Sequence, residues 1–290
     1  MNQLRKIDYK AVIEQTEEQA SSEKYFVGND GLRRCRVCGE PVEAVIKNFP
    51  TPRRIPCACI RTKDETARIE RERKEKREAA QRLLDESPLY DSNYRQFVFE
   101  RDEHTSEDGF REAAKISRRF VERFDDLRKE NAGILFSGFV GTGKTFYAAA
   151  ITNALIELGI PALIVSTSRL LNTLQGRTDR QEVIDSLNQF PLVVLDDFGA
   201  ERATDYAMEQ LEAVLDARSL SQKPLIVTTN KTPREISDRS DLRLSRLFDR
   251  VQAMCPVVVP LVHRSLRETQ SKEKALRARK ILYGEDGAAL

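Results

Sequence analysis

Gly138-Phe139-Val140-Gly141-Thr142-Gly143-Lys144-Thr145 fits the G-x-x-x-x-G-K-[ST] phosphate-binding pattern at every required position. This motif constrains its surroundings, because it works only between a buried strand and the start of a helix. There the helix N-terminus and successive backbone N–H groups converge on phosphate oxygens. Glycines let the main chain approach those oxygens with no Cβ in the way. Both flanks are present: Ile134-Leu135-Phe136 is a short apolar run, and Phe146 to Leu158 reads as an Ala-rich helix stopping before Gly159. Gly138, Gly141, Thr142 and Gly143 form the expected cradle. Lys144 would reach the β- and γ-phosphates, and the Thr145 hydroxyl would sit on Mg²⁺. A bound nucleoside triphosphate is therefore expected.

The following residues repeat the same alternation. Pro161 to Ser166 and Pro191 to Leu195 are strand-like apolar runs, as is Leu225 to Thr228, which leads into Thr229-Asn230. Helical stretches lie between them at 168–174, 180–189 and 204–219. Strands alternating with helices imply right-handed crossovers and a mainly parallel sheet, an α/β fold. Ligand-binding residues of such sheets gather at the carboxyl ends of the strands. Asp196, Asp197 and Asn230 stand there. Four apolar residues followed by an acidic pair form the Walker B pattern, so Asp196 would hold Mg²⁺ directly or through water. Asp197 is placed to polarise the attacking water. Asn230 would position that water or contact the γ-phosphate.

A helical stripe upstream, Phe110 to Arg128, carries Ala113, Ile116, Phe120, Val121 and Phe124. The aromatic connector Pro88 to Phe99 is expected to lie against the nucleotide-binding domain. Cys255, inside the apolar run Val251 to Val259, reads as a buried core thiol.

Four of the five cysteines lie between positions 35 and 59, as Cys35-x-x-Cys38 and Cys57-x-Cys59. Such clustering fits a tetrahedral Zn²⁺ site in a reducing compartment better than a disulfide framework. Neither histidine, His104 or His263, is near, so the local ligand set is Cys₄. Gly39 allows the turn after the second ligand. From Gly31 to Lys63 the cations Arg33, Arg34, Arg36, Lys47, Arg53, Arg54, Arg61 and Lys63 face only Glu40 and Glu43. This patch suits nucleic-acid phosphate or an acidic protein surface. Residues 1 to about 24 show modest helical periodicity through Leu4, Ile7, Ala11 and Val12. From Arg61 to Glu86 the chain is dense in charge without Pro or Gly, and pairs such as Glu70–Lys74 and Glu72–Lys76 predict a solvent-exposed helix ended by Ser87-Pro88.

With 290 residues there is room for one α/β domain of about 200 residues and a smaller module. The expected division is 1–60 as a zinc module, 61–87 as a linker helix, 88–270 as the nucleotide domain and 271–290 as a basic tail that becomes disordered. No apolar run approaches the roughly 18 residues of a membrane span, and no secretory signal is visible. The expected location is the cytoplasm, with no membrane partner.

GFVGTGKT, LVVLDDFGAE, IVTTN and LRLSRLFDR, in this order and spacing, resemble the AAA+ ATPases of the DnaC/DnaI-type helicase-loader and IstB family over residues 88 to 270. A cysteine cluster, a charged helix and then the ATPase core resemble the DnaI-type and phage-encoded loaders more than IstB. The resemblance implies ATP as the nucleotide, Lys144 and Thr145 as Walker A, Asp196 and Asp197 as Walker B, and Asn230 as sensor 1. It implies Arg246 as an arginine finger reaching the γ-phosphate of an adjacent subunit, with Arg250 as rival. The second acid of AAA+ proteins is usually Glu; Asp197 is one methylene shorter, which implies slow hydrolysis. Where the family shows Gly-x-Ser-x-Arg, this chain has His263-Arg264-Ser265-Leu266-Arg267, which puts Arg267 in doubt as a sensor-2 contact. The function implied is ATP-dependent loading of a replicative DNA helicase onto single-stranded DNA by self-associating subunits, with the zinc module gripping the helicase. The alternatives are an IstB-like transposition ATPase that binds DNA and a transposase, a nucleotide-switched adaptor without turnover, and a P-loop small-molecule kinase.

Overall fold

The computed structural model describes residues 24–47, 51–103, 108–200, 204–238, 240–263 and 265–283. Two expectations lie outside these residues, the helical periodicity before residue 24 and the tail beyond residue 283. The chain divides into two compact units, Met1–Arg73 and Lys74–Leu290.

In the first unit, β1 (Tyr25–Val27) pairs antiparallel with β2 (Arg33–Cys35), and β3 (Glu43–Ala44) with β4 (Arg53–Arg54). None of these two- and three-residue strands is long enough to stand out in the sequence, and only β1 is apolar throughout. Their shared interior consists of Cys35, Val42 and Cys57, with Tyr25 and Cys59 partly covered. An interior this small leaves most of the folding free energy to come from elsewhere.

Helix α1 (Ala58–Glu86) begins inside the second cysteine pair, three residues before the expected start of the charged segment. Its ladder of ion pairs runs Glu65–Arg68–Glu72 and Lys74–Glu78–Arg82 at three- and four-residue spacings. These differ from the pairs expected at Glu70 and Glu72 but use the same helical geometry. Of its side chains only Ala80 and Leu84 are buried. In the second unit the helix passes over Gly159, where an added Cβ would lie 2.5 Å from the Cβ of Lys76, and Arg77 pairs with Glu157 at 2.8 Å.

The second unit is built on a five-stranded, all-parallel sheet: β5 (Ile134–Gly138), β6 (Ala162–Ser166), β7 (Leu192–Asp196), β8 (Leu225–Thr229) and β9 (Val257–Leu261) in the order β6-β7-β8-β5-β9. The runs of β5, β6, β7 and β8 are apolar at nearly every position because helices cover both faces of the sheet. Leu135, Leu163, Val165, Val193, Leu195 and Val227 face one layer, and Ile134, Phe136, Ile164, Val194 and Ile226 the other. That alternation is the period of two that a strand imposes. The first layer contains α5 (Thr167–Gln175), α6 (Arg180–Leu187), α7 (Asp205–Leu220) and α9 (Leu242–Met254), with the single-turn α8 (Pro233–Ile236) nearby. The second contains α2 (Asp108–Glu122), α3 (Phe124–Lys129) and α4 (Lys144–Glu157). Ala148, Ala149 and Ala150 are all buried on α4, so that α2 and the sheet both approach it closely.

Two boundaries differ from expectation. The stripe from Phe110 to Arg128 breaks at Arg123, whose φ of −113° and ψ of 21° end α2 and let α3 start afresh. Phe120 and Phe124, on either side of the break, meet at 5.9 Å between centroids. The second half of the apolar run 251–259 is the edge strand β9, extended through Pro260. Proline is tolerated at a sheet edge, where one side of the strand needs no ladder. Helix α10 (Leu266–Tyr283) closes the described chain. Among the described residues no helix is long and apolar enough to cross a membrane.

Candidate functional site

The P-loop leaves the end of β5 and enters the first turn of α4. At Gly138, φ is 137° and an added Cβ would lie 2.0 Å from the carbonyl oxygen of Leu261 on β9. Gly143 caps α4 with φ 91°, a left-handed conformation that most side chains resist. The Lys144 ammonium donates to the carbonyls of Gly138 at 3.1 Å and Phe139 at 2.5 Å, and Thr142 Oγ1 donates to Phe139 at 2.8 Å. From the far side of the loop, the Leu266 N–H that opens α10 donates to the Gly141 carbonyl at 2.8 Å.

At the end of β7, Asp196 is only 3% exposed. Its Oδ1 accepts from the hydroxyls of Thr145 at 2.9 Å and Thr228 at 2.6 Å, and its Oδ2 from the phenol of Tyr94 at 3.1 Å. Asp197 turns away from the strand with φ 56° and donates its N–H to Thr228 Oγ1 at 2.9 Å. The Asn230 amide, at the tip of β8, reaches Asp197 Oδ1 at 3.5 Å. Gly141, Thr142, Gly143, Lys144, Thr145, Asp197 and Asn230 line one cavity of about 380 Å³, joined by Phe97, Phe110, Tyr147 and Leu266.

This arrangement fits a nucleotide and its metal. A helix N-terminus and a lysine face the cavity, and a hydroxyl and a carboxylate stand 2.9 Å apart where Mg²⁺ needs oxygen ligands. Burial raises the Asp196 carboxyl above its ordinary range against the lowering pull of the Thr228 hydroxyl, and Asp197 adds to the rise. A carboxyl raised in the fold weakens that fold as pH climbs from its unfolded value through its folded one. Asp196→Asn escapes this loss. In EDTA near pH 7.5 it is expected to melt above wild type, although it should lose its metal. The difference should close near pH 4, about the unfolded value. A variant melting below wild type at both pH values would contradict the burial argument.

The finger candidates are elsewhere. Arg246 is exposed on α9, beside a surface depression shared with Asp205, Met208, Glu209 and Glu212, and it does not line the nucleotide cavity. Arg250, one turn later, is bound to α7 through Glu212 and, at 2.9 Å, Asp216. Among the described residues Arg246 makes no ion pair. Arg267 belongs to α10, but its side chain lies outside the described residues. His263 packs beside the ring of Phe110 at 5.5 Å, over Gly109, where any Cβ would collide with the imidazole. Cys255 is fully buried and donates to the Leu225 carbonyl, as a core thiol should.

The four clustered cysteines also converge. The Sγ atoms of Cys35, Cys38, Cys57 and Cys59 all lie within 4.8 Å of one another. A tetrahedral zinc with Zn–S bonds of about 2.3 Å separates its sulfurs by about 3.8 Å, so this donor set fits Zn²⁺. Gly39 makes the turn with φ 73°, its N–H donating to the Cys35 carbonyl at 2.8 Å. Glu40 caps α1 by accepting from the Ala58 N–H at 2.7 Å and pairs with Arg61 at 2.8 Å. The Cys38 thiol is pulled down to about 6 by the backbone N–H groups of Glu40 and Cys59. Its hydrogen bond with Cys38 is the main cause that pushes Cys59 up to about 12.

Thr228, Tyr94 and Asn153 are site residues that the sequence reading did not assign. Thr228 has a faint signal, a hydroxyl inside a buried apolar strand. Tyr94 and Asn153 have none, being 102 and 43 positions from Asp196.

The parallel sheet, its P-loop and the acidic end of β7 define an AAA+ P-loop ATPase. The sequence profile of the IstB-like ATP binding proteins matches residues 90–275, and the chain belongs to that family. It is 29% identical over 150 residues to the replicative helicase loader DnaC of Escherichia coli K12, a match covering 50% of this chain and 59% of DnaC. To the replicative helicase loader DnaI of Bacillus subtilis 168 it is 28% identical over 145 residues, 46% of each chain. The chain thus spans about half the length of the curated relatives it matches. Among solved folds, the DnaC helicase loader superposes with a TM-score of 0.51 at 24% identity, covering 59% of this chain and 99% of that one. DnaI gives 0.51 at 22%, covering 61% and 94%.

Proposed function

We propose that this chain is an ATP-dependent loader that places a replicative DNA helicase on single-stranded DNA. The observation that carries the reading is the 150-residue match to a replicative helicase loader, 29% identical to DnaC. In this reading Lys144 and the loop from Gly138 to Gly143 hold the phosphates, while Thr145 and Asp196 hold Mg²⁺. Asp197 polarises the attacking water, Asn230 positions it, and Arg246 completes the site of a neighbouring subunit. Mg²⁺ neutralises charge on the β- and γ-phosphates when bound. The short acid Asp197 makes turnover slow until DNA or a partner stimulates it. The cysteine module, residues 1–60, holds Zn²⁺ and grips the helicase. Residues 61–87 link it to the ATPase domain, 88–270, and 271–290 form a basic tail.

An IstB-like role with a transposase is the second reading, and the cysteine cluster favours the first. Pull-down of the purified chain with replicative helicase and, in parallel, with transposase decides between them. Helicase capture that needs ATP supports loading; capture of transposase alone overturns it. Two substitutions test the ATPase assignments. Lys144→Ala is expected to weaken ATP binding at least tenfold. Asp197→Asn should bind ATP within twofold of wild type and lose about 10²–10⁴-fold in turnover, the usual share of a general base. Asn tolerates the left-handed backbone at this position, so the fold should be undisturbed. Equal loss of ATP affinity in both variants would count against Asp197 as the base.

A further inference from the structure

Asp196 is held by hydroxyls from three directions, and one of them comes from outside the nucleotide motifs. Thr145 and Thr228 both donate to Oδ1, while Oδ2 receives the Tyr94 phenol at 3.1 Å. Tyr94 lies in a 3₁₀ turn, Ser92–Gln96, within the connector that precedes α2. That turn is fixed at both ends. Asp91 caps its start by accepting from the Asn93 N–H at 2.9 Å. The Asn153 amide on α4 donates to the carbonyls of both Tyr94, at 2.9 Å, and Phe97, at 2.7 Å. A half-buried amide committed to two carbonyls of one turn leaves the phenol little freedom.

We propose that Tyr94 is a positioning residue for the magnesium ion, holding Asp196 Oδ2 so that Oδ1 stays beside the Thr145 hydroxyl. A carboxylate can rotate about its last bond. With Oδ2 tied to the phenol, the other oxygen is fixed next to the second ligand before any metal arrives. Partners of metal ligands that fix their orientation typically change metal affinity by 10–100-fold when removed. The proposal rests on the reading of Asp196 as a magnesium ligand. It adds that the connector, through Tyr94 and Asn153, belongs to the metal site.

Tyr94→Phe keeps the ring that meets Phe97 at 6.5 Å and removes only the donor. The full-length chain is titrated with a fluorescent ATP analogue in EDTA, and then with Mg²⁺ at fixed nucleotide, while thermal melting reports the fold. Tyr94→Phe is expected to melt like wild type and to bind the analogue equally in EDTA. It should need about ten times more Mg²⁺ for half-maximal response. Asn153→Ala, which frees the turn but keeps the phenol, should shift the Mg²⁺ midpoint in the same direction by less. An unchanged midpoint in both variants overturns the proposal. So does an equal weakening with and without Mg²⁺, which marks Tyr94 as mere packing. If wild type itself ignores Mg²⁺, the reading of Asp196 fails and the proposal with it. If wild type responds and Tyr94→Phe matches it, Tyr94 alone fails.

Discussion

Arg246→Ala is expected to bind ATP as wild type does and to hydrolyse it at least a thousandfold more slowly, since a trans-acting arginine is worth about 10³–10⁵ in turnover. Arg246 is exposed on α9, away from its own cavity, and among the described residues it makes no ion pair. Arg250 differs: α7 already holds it through Glu212 and Asp216, so moving it to a neighbour's phosphate would require breaking both contacts. Mixing Arg246→Ala with Lys144→Ala tests the sharing of a site between chains. The second variant cannot hold ATP but presents an intact Arg246, so composite interfaces should regain part of the activity. A mixture that co-assembles yet stays as inactive as its components would exclude Arg246 from acting in trans. Arg250→Ala is then the variant to mix. For Arg250→Ala itself the present geometry predicts a lower melting temperature rather than a specific loss of turnover.

Cys57→Ser is expected to remove the zinc and with it the folded amino-terminal module. Cys57 is 1% exposed and forms much of a three-residue interior, so little else can hold the hairpins together. Structural zinc in small modules supplies about 10–16 kcal/mol of apparent binding free energy near pH 7, most of which is folding free energy. The wild-type chain should carry about one zinc, and the variant close to none, by elemental analysis of freshly purified protein. Helicase binding should fall by more than tenfold while ATP affinity stays unchanged, because the P-loop, Asp196 and Asn230 belong to the other compact unit. Wild-type protein purified without zinc would overturn the metal assignment. A variant that still captures helicase normally would separate the metal from helicase gripping.

Strands β5 to β8 were readable because strands buried on both faces leave continuous apolar runs between turn residues. The edge strand β9 was harder, since the same run first finishes α9 and then pairs with β5 through Pro260. The first-unit strands left no alternation to find, being two or three residues long, with arginine filling most of β2 and all of β4. Within the site, Lys144, Thr145, Asp196 and Asn230 were legible because one short motif or one strand end places each. The Tyr94–Asp196 bond was not, because it joins segments far apart in sequence and depends on the Asn153 clamp. The choice between Arg246 and Arg250 could not be made from spacing. What the structure adds is that Arg250 pairs with Glu212 and Asp216 on α7, a matter of tertiary packing.

The left-handed backbone at Asp197 carries an evolutionary consequence. Most side chains pay about 1–2 kcal/mol to stand at such a φ, and Gly and Asn escape most of that penalty. Glycine would relax the turn and delete the acid; Asn would suit the turn and silence it. Glutamate, the more usual second acid among AAA+ ATPases, would meet the left-handed geometry without the short polar side chain that eases Asp into it. In the reading of Asp197 as the base, a lineage drifting at this codon finds its easy neighbours inactive and its longer homologue strained. In that reading aspartate is the acid that the turn at position 197 accommodates with least strain.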